Sequence, residues 1–293
     1  MAGKKPAFIT EPYSGYYHSD VPEDDKELTR VGPGTPMGNY LRHFWHPVAY
    51  TRQLTGLPLA IKIMCEELVL FRSHSGRIGL LELHCSHRGT SLEFGLIEES
   101  GIRCCYHGWL FEVDGRILDT PGEPPDSTYK ERLCHGAYPV TEYSGIIFAY
   151  MGPPDKIPPF PMLDVYETPG YHLEPGEEGA IPNHKPCNWL QLADNLVDPL
   201  HEDFLHATIS GLQFLDRNGR LVEELAILGE GEFLDTPTGI LTQEMRRVNE
   251  NTVWVRNIEF NWPNFATLGF PPVLPHEWGP DQKELHDPPL LIF

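Results

Sequence analysis

The segments Cys85-Ser86-His87-Arg88-Gly89 and Cys104-Cys105-Tyr106-His107-Gly108-Trp109 decide how this chain is read. Cysteine and histidine alternate in them, first as Cys-x-His and then as Cys-x-x-His, and each segment carries a glycine suited to a tight turn. Zinc modules usually pair Cys with Cys and His with His across such spacings. The alternation argues instead for one iron–sulfur cluster held between two loops, with one thiolate and one imidazole from each.

A Rieske [2Fe–2S] centre has this composition: two imidazoles replace two thiolates on one iron, which raises the potential above that of all-thiolate ferredoxins. On that reading Cys85 and Cys104 bind the inner iron, and His87 and His107 the outer one. The competing reading, four unrelated buried residues at chance spacing, has to explain two such loops in one short stretch. A chain built this way moves electrons.

Short apolar runs flank the loops. Residues 59–64, 68–71 and 77–83 read as strands separated by polar turns such as Ser73-His74-Ser75-Gly76. Residues 109–113 and 116–118 read as a hairpin closed by Asp114-Gly115 in a type I′ turn, and residues 145–151 as a further strand. Before them, Met37, Leu41, Phe44 and Trp45 recur at helical spacing after the breaker Gly32-Pro33-Gly34-Thr35-Pro36, which predicts a short helix. The expectation is a small β-sandwich with both metal loops at one end.

The 293 residues are enough for two domains, and 40% hydrophobic with 22% charged residues is ordinary for a globular protein. A formal net charge of −20 argues against nucleic acid or an anionic membrane as partner. Met1-Ala2-Gly3-Lys4-Lys5-Pro6 has no apolar stretch behind its lysines, and no run approaches a membrane span. Of the six cysteines (Cys65, Cys85, Cys104, Cys105, Cys134 and Cys187) two go to the cluster and the rest form no disulfide framework, so a cytoplasmic, reducing setting is expected.

The second concentration of chemistry is Asp194-Asn195-Leu196-Val197-Asp198-Pro199-Leu200-His201-Glu202-Asp203-Phe204-Leu205-His206. Two histidines five residues apart can supply two thirds of a 2-His-1-carboxylate site for non-haem Fe(II). An i, i+5 pair does not share a face of an ideal α-helix, so the segment needs a break at Pro199 or a π-type turn. Read alone, His201 and His206 are as readily ordinary helix histidines. Beside an electron-carrying cluster, an oxygen-activating iron becomes the better reading.

The two motifs, in this order, make the chain resemble the Rieske non-haem iron oxygenases, from Val31 to His206. The cluster loops and the Asp-Asn-Leu-Val-Asp-x-x-His-x-x-x-x-His stretch are similar to the phthalate dioxygenase and vanillate O-demethylase branch. Gly32-Pro33-Gly34-Thr35-Pro36-Met37-Gly38 and Phe44-Trp45-His46-Pro47-Val48-Ala49 look like its lead-in. The resemblance implies an α+β fold: a Rieske β-sandwich plus a catalytic domain of antiparallel sheet wrapped around a helix. The expected divisions are an N-terminal lead (1–46) packing on the catalytic domain, a Rieske domain (47–152), a Pro-rich linker (153–161) and a mononuclear iron domain (162–293). It further implies that His201 and His206 bind the mononuclear iron. Asp198 would bridge His201 to His107 of a neighbouring subunit in a head-to-tail homotrimer, where its alternative role is a helix cap. Asp194 and Asn195 would line the iron pocket or simply cap.

The resemblance also implies a separate NAD(P)H-dependent flavin/iron–sulfur reductase, O2 as co-substrate, and hydroxylation or O-demethylation of a small aromatic compound. Respiratory-chain Rieske proteins tie the two loops with a disulfide; Thr90 and Tyr106 stand at those places here, so a potential at the low end of the range, roughly −150 mV, is expected. The family's third iron ligand is a carboxylate far beyond the second histidine. Asp281, Glu284 and Asp287 are the late candidates, and each is more easily a surface residue. With Leu290-Leu291-Ile292-Phe293 reading as an interrupted strand, the expectation is a chain truncated at its C-terminus and a third ligand beyond Phe293. The alternatives are a Rieske electron-transfer protein and a truncated homologue without oxygenase activity. An anionic substrate would want an arginine in the cavity, for which Arg246, Arg247 and Arg256 are the candidates.

Overall fold

The computed structural model describes residues 11–17, 23–162, 186–211, 221–268 and 290–292. From Trp45 to Tyr150 the chain forms strands β1 (Trp45–Tyr50), β2 (Leu59–Ile63), β3 (Glu66–Arg72), β4 (Ile78–Glu82), β5 (Leu96–Ile97), β6 (Gly101–Arg103), β7 (Leu110–Glu112), β8 (Ile117–Asp119), β9 (Ala137–Tyr138), β10 (Val140–Tyr143) and β11 (Ile146–Tyr150). They make three antiparallel sheets, ordered β1-β11-β10, β2-β3-β4-β9 and β5-β6-β7-β8.

The continuous apolar run at residues 68–71 is what a strand buried on both faces requires. Val69 and Phe71 pack with Leu81, Leu92, Ile102 and Phe111 on the cluster side; Leu68 and Leu70 pack with Leu80, Ala49, Ile147 and Ala149 on the other. Each of these buried Val, Leu, Ile and Phe side chains contributes about 1.5–3 kcal/mol. The β2-β3-β4-β9 sheet is therefore the middle layer. It backs the small sheet, and the two cysteine–histidine loops are the β4–β5 connection between these sheets and the β6–β7 connection within the small one.

Two local expectations need correction. The helix after the Gly-Pro breaker, capped by Thr35, ends at Leu41, and Trp45 instead opens β1, opposite Tyr150. Only Gly115 (φ 87°) of the Asp114-Gly115 pair is left-handed, and Glu112 N–H bonds to Arg116 O, so this is a three-residue bulged loop. Two-residue turns with both φ angles positive occur at Met64-Cys65 and Ser144-Gly145. The first lacks the Gly or Asn that would have announced it.

The lead includes α1 (Lys26–Thr29) and α2 (Pro36–Leu41), and it touches both halves of the chain. Arg42 Nη2 donates to Met64 O (3.0 Å) and Glu66 Oε1 (2.6 Å) on the sandwich side. Asn188 Nδ2 donates to Thr29 O (2.7 Å) and Trp189 Nε1 to Leu28 O (3.0 Å). Asn264 Nδ2 reaches Trp45 O (3.1 Å) and His46 Nδ1 (3.0 Å).

Helix α3 (Tyr129–Arg132) follows β8, and α4 (Trp189–Val197) opens the second half. Asn188 caps α4, its side chain accepting from Leu190 N–H. A π-helix follows at Glu202–Ile209. Strands β12 (Glu230–Thr236), β13 (Gly239–Asn249), β14 (Thr252–Asn261), β15 (Phe265–Leu268) and β16 (Leu290–Ile292) make an antiparallel sheet in that order. The β13–β14 hairpin is the long centre of this sheet, and β12 beside it is acidic and largely exposed. Among the described residues no helix is long and apolar enough to cross a membrane.

Candidate metal centres

The two cysteine–histidine loops share one backbone design. Gly89 N–H bonds to Cys85 O (2.8 Å) and Gly108 N–H to Cys104 O (3.1 Å), while Cys85 N–H bonds to Thr90 O (2.9 Å) and Cys104 N–H to Trp109 O (2.8 Å). Gly89 and Gly108 carry nearly the same left-handed φ, 73° and 74°, which side chains resist. The outcome is a cradle with approximate twofold symmetry. Cys85 and Cys104 sit in the core with Phe71, Trp109 and Phe111, and the His87 and His107 rings face each other with centroids 4.7 Å apart. Trp109 stacks flat on His87 (4.7 Å, 3°), its indole N–H buried without a partner.

Burial pushes the Cys85 thiol up; the His87 N–H pulls it back, and the hydrogen bond with Cys104 raises it again. Burial, with His107 and Arg88 nearby, pushes the His87 imidazole down. Two buried thiols side by side, beneath two adjacent imidazoles, fit a Rieske cluster as donor set. Among the described residues no three His, Cys, Asp or Glu side chains converge on one ion. Cys65, Cys105, Cys134 and Cys187 are free and exposed.

The second segment answers the i, i+5 problem directly. Asp198 ends α4, its Oδ1 accepting from Leu200 N–H (2.9 Å), and Pro199 separates the two helices. The π-helix then bonds residues i to i+5, Ser210 N–H to Leu205 O (3.1 Å), reinforced by Thr208 Oγ1 to Asp203 O (2.7 Å). His201 and His206, about 140° apart on an α-helix, here lie with ring centroids 5.4 Å apart. His201 Nδ1 is buried and 3.6 Å from Asp198 Oδ2, beyond hydrogen-bond reach but within that of charge. Asp281, Glu284 and Asp287 lie outside the described residues. Asp194 and Asn195 are exposed, and Asp194 lines a polar cleft of about 360 Å³ with Asp24, Arg30 and Gln191.

Sequence reasoning missed the charges beneath this segment. Arg246 is fully buried and ion-paired with Asp203, and Arg256 is ion-paired with Glu202, so neither is a free cavity arginine. Glu244 lies 2.6 Å from Arg246 Nη1, though out of line for a hydrogen bond. Burial pushes the Glu244 carboxyl up to about 7, against the pull of Arg246 and with help from Asp203. The period-2 alternation of Thr242, Glu244 and Arg246 was the available signal, but nothing in the sequence fixed which face was inside.

Glu244 has a consequence for stability. Its carboxyl keeps its proton to about pH 7 when folded and loses it near 4.5 when unfolded. Between those values the folded chain binds more protons, so stability falls as pH rises and levels off above the folded value. The change is about 3 kcal/mol at most. Urea midpoints from about pH 5 to about pH 8 should show this decline, and Glu244→Gln should flatten it; an unchanged slope in the variant would assign the decline elsewhere.

Residues 44–142 match the family model described as Rieske [2Fe-2S] domain. The chain is 43% identical over 263 residues to the tert-butanol monooxygenase / tert-amyl alcohol desaturase oxygenase subunit of Aquincola tertiaricarbonis, covering 86% of this chain and 55% of that protein. It is 39% identical over 274 residues to the phenoxybenzoate dioxygenase subunit alpha of Ectopseudomonas oleovorans, covering 89% and 64%. The chain thus spans less than two thirds of the length of these relatives. In fold it is similar to apo dicamba monooxygenase (TM-score 0.57, 21% identity, covering 82% of this chain and 70% of that one). With its symmetric cysteine–histidine cradle, the chain carries a Rieske [2Fe–2S] domain and belongs with the oxygenase subunits of the Rieske ring-hydroxylating oxygenases.

Proposed function

We propose that the chain is the oxygenase component of a multicomponent Rieske oxygenase, in which Cys85, His87, Cys104 and His107 hold the cluster and His201 and His206 hold ferrous iron. The observation that carries this is the Asp198–His201 pair at the head of a π-helix that brings His206 alongside. When bound, the cluster supplies single electrons and the ferrous iron activates O2 for insertion into an organic substrate.

The chain's own residues select and orient. A proton kept on His201 Nδ1 by Asp198 leaves Nε2 as the metal-facing nitrogen, so the carboxylate fixes both tautomer and ring direction. Asp198 is half exposed, its side chain 48% accessible, and so remains open to a neighbouring molecule. In a head-to-tail trimer its free edge would meet His107 of the next subunit, joining the two centres through one carboxylate. Trp109, flat against His87, shields that imidazole from water on one face.

Electrons would come from NAD(P)H through a separate reductase, in a cytoplasmic setting that suits six free cysteines. The proposed domain division keeps a cluster unit and an iron unit joined by the Pro-rich residues 153–161, and a third, carboxylate ligand would complete the iron site. The substrate class is aromatic, with hydroxylation or O-demethylation as outcome. The relative named for tert-butanol makes compact tertiary alcohols the second class to assay. The test is oxygen uptake by the loaded protein with a Rieske-system reductase and NADH, using ¹⁸O2. Substrate-dependent uptake with label in the product is expected. Reduction of the cluster without substrate-dependent uptake would make the chain an electron carrier instead.

A further inference from the structure

The π-helix is held from beneath by charge. Its first two residues, Glu202 and Asp203, turn into the protein and not toward solvent, where acidic side chains at a helix start ordinarily lie. Arg256 takes Glu202 and Arg246 takes Asp203, both from the β13–β14 hairpin, in which Glu244 stands directly opposite Arg256. Arg246 is itself immobilised: Nε donates to Ile227 O (3.0 Å), and its guanidinium lies 4.8 Å from the Trp254 ring centroid. On the same face of β13, Thr242 Oγ1 donates to Val197 O (2.9 Å), one residue before Asp198. One strand face therefore grips the segment on both sides of His201.

That grip answers a physical need. The i→i+5 ladder is rare because the α-register is ordinarily preferred, and returning to it would leave His206 about 140° round the helix from His201. Burying three carboxylates with two guanidinium groups costs more desolvation than an apolar seam would. Fixing the rotation of the first turn is what the ion pairs provide and apolar contacts do not.

We propose that Arg246 and Arg256 are positioning residues for the His201/His206 pair, clamping Asp203 and Glu202 so that the π-register holds and both imidazoles face one ion. This rests on the reading of His201 and His206 as iron ligands.

The test compares the full chain, with its Rieske cluster loaded, against Arg246→Met, the double variant Asp203→Leu/Arg246→Met, and His201→Ala. Arg246→Met leaves carboxylates buried and unpaired and is expected to melt early. The double variant replaces the pair by apolar side chains of similar bulk and is expected to recover the melting temperature. Anaerobic Fe(II) titration, counted above the iron of the cluster, is the readout, with the reduced Rieske signal as internal count of folded chains. The expected result is a loss of Fe(II) affinity on the order of 10–100-fold in the double variant despite its recovered melting temperature. Affinity within about twofold of the parent in that variant, with His201→Ala abolishing binding, overturns the positioning role alone. Binding unaffected by His201→Ala overturns the ligand assignment and this proposal with it. A double variant that melts as early as the single one is replaced by Arg256→Lys, which keeps the charge on Glu202: recovered Fe(II) affinity there, against loss in Arg256→Met, supports the clamp, and equal affinity in both overturns it.

Discussion

Asp198→Ala should slow the reoxidation of the reduced cluster by O2 and substrate on the order of 100-fold, while the iron content stays close to that of the parent. Asp198 makes two contacts of different kind. Its Oδ1 accepts from Leu200 N–H at the end of α4, a cap whose loss costs about 1 kcal/mol and leaves the π-helix in place. Its Oδ2 faces His201 Nδ1. Water can replace the carboxylate at that nitrogen well enough to preserve binding, but it cannot hold the ring or bridge to a second histidine. Asp198→Asn should behave differently. An amide N–H aimed at Nδ1 favours the proton on Nε2, so that variant should lose Fe(II) as well. Stopped-flow absorbance of the cluster, beside iron analysis of each variant, separates the two. Equal, parent-like reoxidation in Asp198→Ala would reduce the residue to a helix cap.

Cys104→Ser should abolish the Rieske signal and lower the melting temperature of the sandwich, whereas Cys105→Ser should change neither. The contrast follows from burial: Cys104 is packed with Phe71, Phe111 and Trp109, and its neighbour Cys105 is exposed. Serine at position 104 places a hydroxyl in an apolar core, at a cost of about 1–3 kcal/mol if it finds no partner. On the proposed ligand set it also removes one of two thiolates to the inner iron, and with it the cross-link between the two loops. Iron and sulfide analysis with a thermal melt checks both parts. A cluster retained in Cys104→Ser and lost in Cys105→Ser would exchange the roles of the two cysteines.

The Rieske domain was legible because its motif is local: each loop carries a cysteine, a histidine and a turn glycine within a few residues. The strands of the sandwich were legible where both faces are buried, as at residues 68–71, and ambiguous where one face meets solvent. The i, i+5 spacing of His201 and His206 called for a break at Pro199 or a π-type turn, and the structure has both, with Pro199 between the helices and the π-helix after it. The clamp beneath could not be inferred. Arg246 and Asp203 are 43 residues apart, and nothing local to either names the other. Buried ion pairs of this kind are made by topology, and the alternation along β13 says only that Thr242, Glu244 and Arg246 share a face. The Met64-Cys65 turn was illegible for the opposite reason: its left-handed residues are ones that rarely adopt that conformation.

The most direct measurement is pulsed EPR of the dithionite-reduced protein, counting imidazole nitrogens coupled to the cluster spin. Two coupled nitrogens are predicted, from His87 and His107, with one lost in His107→Cys. A signal with no nitrogen coupling would mean an all-thiolate cluster. A stoichiometric zinc content with no paramagnetic signal would mean that the two loops form a zinc site, and the electron-transfer function would fall with it.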